Sequence, residues 1–216
     1  MQESRVWLVC AAASYLLGAI PFGYLIGRAR GVDVRSAGSG NIGATNVFRV
    51  VGKPWGVLTF LADMLKGFAA VCFLPRWAEQ HLAGGATDGL RLLCACCAVA
   101  GHNWPVFLRF RGGKGVATGA GALLGLAWPA LLIGLAVWTA VFLVGRYVSL
   151  ASLAAAGAIA ACAWPLYARR GAALPAALTA LALLVVWRHR ANIARLRHGT
   201  EHRFQFRRGP NRETAP

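Results

Sequence analysis

Charge is scarce in this sequence. Only 14% of its 216 residues are Asp, Glu, Lys or Arg, while 57% are hydrophobic; an ordinary soluble domain carries about 25% charged residues. The composition points instead to a multi-span helical membrane protein, expected as one domain over 1–216 built around the bilayer. Acidic residues are scarcer still, seven against 23 Lys and Arg, for a net charge of +16. That balance raises the question of nucleic acid as a partner. The basic residues are dispersed between apolar segments, as in cytoplasmic loops of membrane proteins, and no nucleic-acid-binding motif accompanies them, so none is expected. Metal chemistry lacks its ligands: Cys94, Cys96 and Cys97 cluster, but no His or carboxylate stands near them at ligand spacing. They read as packing residues in lipid, with no metal and no cofactor implied. The P-loop spacing G-x-x-x-x-G-K-[ST] is missing around Lys114, where Phe107 or Leu108 replaces the first glycine and Gly115 follows the lysine. No convincing internal repeat is present, which weakens a two-half transporter.

Long apolar runs are what the chain has. Residues 6–27 and 54–75 are each long enough to cross a hydrocarbon core that needs about 20 residues. A third span is expected over 90–101 and a little beyond. The apolar stretch from Val116 to Gly145 is too long for one crossing, and Trp128-Pro129 breaks it into spans over about 116–127 and 129–145. Residues 147–168 and 172–187 complete seven, in an all-α polytopic bundle. With seven, the connections at 28–53, 102–115, near 146 and 188–216 share one side and hold five, three, one and eight Lys or Arg, seventeen of the 23. The positive-inside bias then predicts the amino terminus outside and the carboxyl terminus in the cytoplasm. A flexible basic tail is expected from about residue 205, where Arg207, Arg208 and Arg212 read as solvated or lipid-surface contacts. Asp63 and Lys66 fall inside the second span, three residues apart on one helical face. They form either a neutralising structural pair or a device by which Asp63 orients Lys66 towards a site.

Three polar segments fall on the predicted cytoplasmic side. GHNWPVFLRFRGGKGVATG, 101–119, combines His102, Arg109, Arg111 and Lys114 with a Gly-Gly-Lys-Gly core. Glycines expose backbone N–H groups, so the stretch reads either as a cradle for a phosphate-like anion or as a basic loop with glycine caps. SGNIGATNVFR, 39–49, offers Ser39, Asn41, Thr45 and Asn46 as donors to phosphate or polyol oxygens and Arg49 as a bidentate phosphate partner; the plainer reading is a solvated loop with an N-cap. HRANIARLRHGTEHRF, 189–204, places His189 and Asn192 at i,i+3, with Arg188, Arg190, Arg195 and His202 nearby. Ser149 and Ser152, in RYVSLAS, are weaker candidates at a cytoplasmic helix start, since such serines commonly bond their own backbone.

Taken together, these segments resemble the three cytoplasmic motifs of the bacterial acyl-phosphate:glycerol-3-phosphate acyltransferases, the PlsY family. The likeness spans the chain and includes Asp63–Lys66–Gly67 and RYVSLAS; Arg111 stands where many members have Lys, which keeps the charge and changes donor geometry. The resemblance implies acyl transfer from acyl phosphate to the 1-hydroxyl of sn-glycerol 3-phosphate, giving lysophosphatidic acid and inorganic phosphate, without direct use of acyl carrier protein. It places the chain in the bacterial cytoplasmic (inner) membrane, among membrane lipids. Carried over, Ser39, Arg49, Lys114, Ser152, His189 and Asn192 would hold glycerol 3-phosphate and order its hydroxyl. Gly112, Gly113, Gly115, Thr45 and Thr118 would cradle a phosphate, and Glu201 would hold the third motif in place. None of the five His begins an H-x-x-x-x-D, so the dyad of the acyl-CoA-dependent enzymes is absent. The rival from another class is an organic-phosphate or anion transporter, which predicts polar residues through the full depth of the bundle. Here the donors gather on one side.

Overall fold

The structure, a computed structural model, describes residues 2–82, 85 and 87–205. Among these residues it is all-helical, with no strand. The basic tail expected from about residue 205 lies outside the described residues from 206 onwards. Ten α-helices run in order: α1 Gln2–Ala19, α2 Phe22–Ala29, α3 Ala44–Val50, α4 Lys53–Glu79, α5 Asp88–Asn103, α6 Val116–Leu126, α7 Trp128–Gly145, α8 Val148–Tyr167, α9 Ala173–Arg188 and α10 Arg190–Arg197. Among the described residues, four helical stretches are long and apolar enough to cross a membrane: Glu3–Ala29, Lys53–Glu79, Trp128–Gly145 and Val148–Arg170. Val116–Leu126 and Ala173–Arg188 are apolar but shorter.

Two expected boundaries move. The first apolar run is not one helix: Pro21, which has no N–H to donate, separates α1 from α2. The second helix outlasts its expected end at residue 75 and carries Pro75 within it as far as Glu79. The break before Pro129 is as expected, with Ala127 ending α6 and Trp128-Pro129 opening α7, where a missing N–H costs no helical bond.

α4 is the central strut, in contact with α1, α2, α3, α5 and α6. Its crossing with α6 is made by glycines on both partners. A Cβ on Gly67 would come within 2.0 Å of the Thr118 carbonyl oxygen, and one on Gly121 within 1.8 Å of the Met64 carbonyl oxygen. The α1–α5 crossing repeats the device with Gly18 and Gly101, where an added Cβ would stand 2.1 Å from a carbonyl oxygen of the other helix. Apolar side chains such as Leu8, Leu143 and Leu183 point outward, as lipid-facing positions do, because small residues rather than large ones bring membrane helices together. Asp63 and Lys66 point inward: their charged ends pair at 2.8 Å. Lys66 also donates to the Ile20 carbonyl at the α1–α2 break, at 2.8 Å.

Candidate active site

Each of the three polar segments is shaped by its own backbone bonds. In the first, the Asn46 side chain is the organiser. Its Nδ2 donates to the carbonyls of Val34, Asn41 and Ala37 at 2.8, 2.9 and 3.1 Å, and its Oδ1 accepts from the Ser39 N–H at 2.9 Å. Asn41 caps the turn into α3 by accepting from the Gly43 N–H at 2.8 Å. Asn46, 2% exposed, therefore builds the loop that presents Ser39 and Asn41, and it has no donor left for a ligand.

In the second segment, Lys114 lies between two glycines packed on the end of α5. Gly113 rests on the His102 ring and Gly115, in a left-handed conformation at φ 79°, on the Asn103 amide. The Gly113 N–H donates to the His102 carbonyl at 3.0 Å. Arg188 donates from Nε to the Gly113 carbonyl and from Nη2 to the Gly112 carbonyl, both at 3.0 Å. Lys114 Nζ donates to the Asn192 side-chain oxygen. Burial, with Arg195, Arg49 and Arg188 nearby, lowers the Lys114 pKa to about 8, against the opposing pull of Glu201.

In the third segment, His189 sits between α9 and α10 with Nδ1 2.8 Å from the Val185 carbonyl. That bond puts the ring proton on Nδ1 and leaves Nε2 as an acceptor. Burial first, then the Lys114 charge, push its pKa down to about 4, so the ring is neutral at physiological pH. Glu201 joins α8 to α10: it accepts from Ser149 Oγ at 2.8 Å, Asn192 Nδ2 at 2.7 Å and Arg195 Nε at 2.7 Å. Burial alone would raise its pKa; these three donors outweigh that and keep it below the usual carboxylate range.

The three segments meet around one cavity of about 520 Å³. Its polar end presents Ser39, Asn41, Thr45, Arg49, Lys114 and Asn192, with Gly115 and His189 beside them. Asn46, Ser149 and Ser152 contribute to the wall, and Asp63 and His102 lie beneath. The apolar part of the lining is made by Val57, Phe60, Trp138 and Phe142 with Phe48 and Phe204, whose rings are 5.3 Å apart. A second cavity of about 220 Å³ shares Ser39, Asn41, Lys114 and Asn192 with the first and adds Arg188, Arg190 and Arg195.

Gly112, Gly113 and Thr118 line neither cavity, although a phosphate cradle was expected of them. The carbonyls of Gly112 and Gly113 are held by Arg188 and the Gly113 N–H by His102, while Thr118 is buried on α6, beneath Gly67 of α4. The double glycine permits close packing on His102, and Lys114, Gly115, Val116 and Ala117 are what the loop turns towards the cavity. Lys66 is likewise outside both cavities, paired with Asp63. Two contributions went unread in the sequence. Arg188 stands in the sequence only as one of a basic series, and nothing there singles out Phe48, Trp138, Phe142 and Phe204 as an aromatic wall.

Residues 8–199 match the family model described as glycerol-3-phosphate acyltransferase. The chain belongs to that family. It is 47% identical over 200 residues to a glycerol-3-phosphate acyltransferase of Desulforudis audaxviator, covering 90% of this chain and 93% of the relative. A Rubrobacter xylanophilus protein of the same description is 48% identical over 197 residues, with 90% and 94% covered. Among solved structures, the family's integral membrane member PlsY (YgiH) in its glycerol 3-phosphate form superposes with a TM-score of 0.80 at 38% identity, covering 92% of this chain and 96% of that one. Its lysophosphatidic acid form gives 0.77 at the same identity.

Proposed function

We propose that the chain is an acyltransferase that moves a fatty acyl group from acyl phosphate to the 1-hydroxyl of sn-glycerol 3-phosphate, releasing lysophosphatidic acid and inorganic phosphate. One observation carries the reading: a single cavity is lined both by a cationic, donor-rich set with Arg49 and Lys114 and by the aromatic side chains of Trp138 and Phe142. A phosphorylated, water-soluble acceptor suits the first and an acyl chain the second. Arg49 and Lys114 offset the repulsion between two phosphates, and Ser39, Asn41 and Asn192 orient the acceptor. The hydroxyl oxygen forms the new ester bond as the acyl carbon–phosphate oxygen bond breaks. The hydroxyl proton leaves on the released phosphate. Acyl phosphate is already activated, so alignment supplies much of the rate.

The donor's own phosphate oxygen is the proton acceptor in this reading. His189, with its pKa near 4, is a weak base, and its free Nε2 suits it to accept a hydrogen bond that orients the hydroxyl. Seven spans with the amino terminus outside put the three segments on the cytoplasmic face of the bacterial inner membrane, and neither cofactor nor acyl carrier protein takes part. Purified protein in lipid, given acyl phosphate and glycerol 3-phosphate, is expected to form lysophosphatidic acid and free phosphate in equal amounts. Uptake of glycerol 3-phosphate into vesicles without acyl transfer would replace this reading with a transporter.

A further inference from the structure

The peptide unit joining Gly112 to Gly113 is held at both ends by different helices. Its carbonyl accepts from Arg188 Nη2 at 3.0 Å, at the end of α9, and its N–H donates to the His102 carbonyl at 3.0 Å, at the end of α5. The next carbonyl, of Gly113, accepts from Arg188 Nε at 3.0 Å. In a planar trans peptide the carbonyl and the N–H point opposite ways, so fixing both leaves the unit no rotational freedom.

The His102 ring closes the other face. A Cβ on Gly113 would stand 2.0 Å from its Nε2, so nothing but a glycine lies flat against it. Behind the ring, Nδ1 is 3.6 Å from Asp63 Oδ1, which pairs with Lys66 at 2.8 Å. Arg188 is braced too, its guanidinium 5.8 Å from the Trp104 ring and 5.7 Å from that of Trp187. Lys114 follows directly, between this fixed peptide and Gly115 on Asn103.

We propose that Arg188 and His102 are positioning residues that clamp the Gly112–Gly113 peptide from two sides and so aim Lys114 into the anion site. This rests on the reading of Lys114 as a phosphate ligand. Arg188 acts through the loop: two of its three guanidinium nitrogens are engaged by carbonyls rather than offered to substrate. Asp63, paired with Lys66, stands 3.6 Å from His102 Nδ1, which sets the buried pair of α4 beside the clamp.

Hydrogen exchange on the full-length, substrate-free protein in lipid nanodiscs tests the clamp directly. Arg188→Ala is expected to raise exchange at the Gly113 amide, the N–H bonded to the His102 carbonyl, at least tenfold, and Arg188→Lys, which keeps the charge but lacks the fork, by less. Unchanged exchange in both would overturn the proposal, because a residue that only binds substrate leaves the empty loop protected. Arg188→Lys carries the test alone if Arg188→Ala fails to insert. In acyl transfer, Arg188→Ala is expected to lose about 10²-fold in kcat/KM, the cost of a misplaced group near the chemistry. Adding His102→Ala, which removes the ring against Gly113 and keeps the carbonyl that accepts its N–H, should cost no more than a further threefold, since both side chains act on one loop; fully multiplicative losses would show two independent roles and end the idea. Lys114→Ala judges the underlying reading separately. Full activity there would remove the ligand role of Lys114, while the exchange result still decides whether the clamp exists.

Discussion

Lys114 and Arg49 do similar work from different elements, and both are predicted to be indispensable: Lys114→Ala and Arg49→Ala should each lower acyl transfer by about 10²-fold or more, as loss of a preorganised charge at a reacting phosphate does. The low pKa of Lys114 adds a signature. Its charge, and with it the anion affinity, is complete well below pH 8 and is lost as pH rises through about 8. The kcat/KM profile of the native protein should therefore fall on that alkaline limb, and Lys114→Arg, if active, should move the fall beyond it, because guanidinium stays charged. His189 should show the converse. With its titration near pH 4, no ionisation near neutrality belongs to it. His189→Gln is expected to keep substrate affinity within a few-fold and part of its turnover; near-total loss shaped by a group titrating near 7 would make His189 the base. Arg49, Lys114, His189 and Asn192 stand out in the sequence as polar side chains in glycine-bearing connections, and they line one cavity. Gly112, Gly113 and Asn46 stand out in the same way, yet the two glycines line neither cavity and Asn46 bonds its own loop: composition shows that a donor is present and not which acceptor satisfies it.

The helices are set by spacing that a reader of sequence can see only in part. The reciprocal glycines between α4 and α6 make a sharp stability prediction within one helix. Gly121→Ala should lower the melting temperature in detergent markedly, since its Cβ would stand 1.8 Å from the Met64 carbonyl oxygen. Gly119→Ala, with nothing within 4 Å of the new atom, should leave it unchanged or slightly raised, as alanine favours helix. Equal effects from the two would mean that the α4–α6 approach is not the tight one described. Breaks were legible where proline made them unavoidable, as at Pro129. Apolar residues continue on both sides of Pro21 and hide the break there, while at Pro75 hydropathy falls although the helix continues to Glu79.

For the molecule as a whole, the proposed seven-span arrangement has a direct check. Single cysteines at the exposed positions Ser36 and His198 should react with an impermeant maleimide from the same face of inverted membrane vesicles, and one at exposed Arg169 only from the other. Labelling of Ser36 and His198 from opposite faces would separate the polar segments and dissolve the site. What the sequence by itself determined was the helical class: a chain with so few charges can satisfy its backbone in lipid only as helices. What only the tertiary structure decided was which of the donors point at open space. Asn46 and Arg188 bond backbone, Lys114 and Arg49 reach the cavity, and the aromatic wall is assembled from α3, α4, α7 and the segment after α10. These outcomes depend on contacts between residues far apart in the chain, and the pattern along a single strand of sequence carries no record of which distant carbonyl a side chain will find.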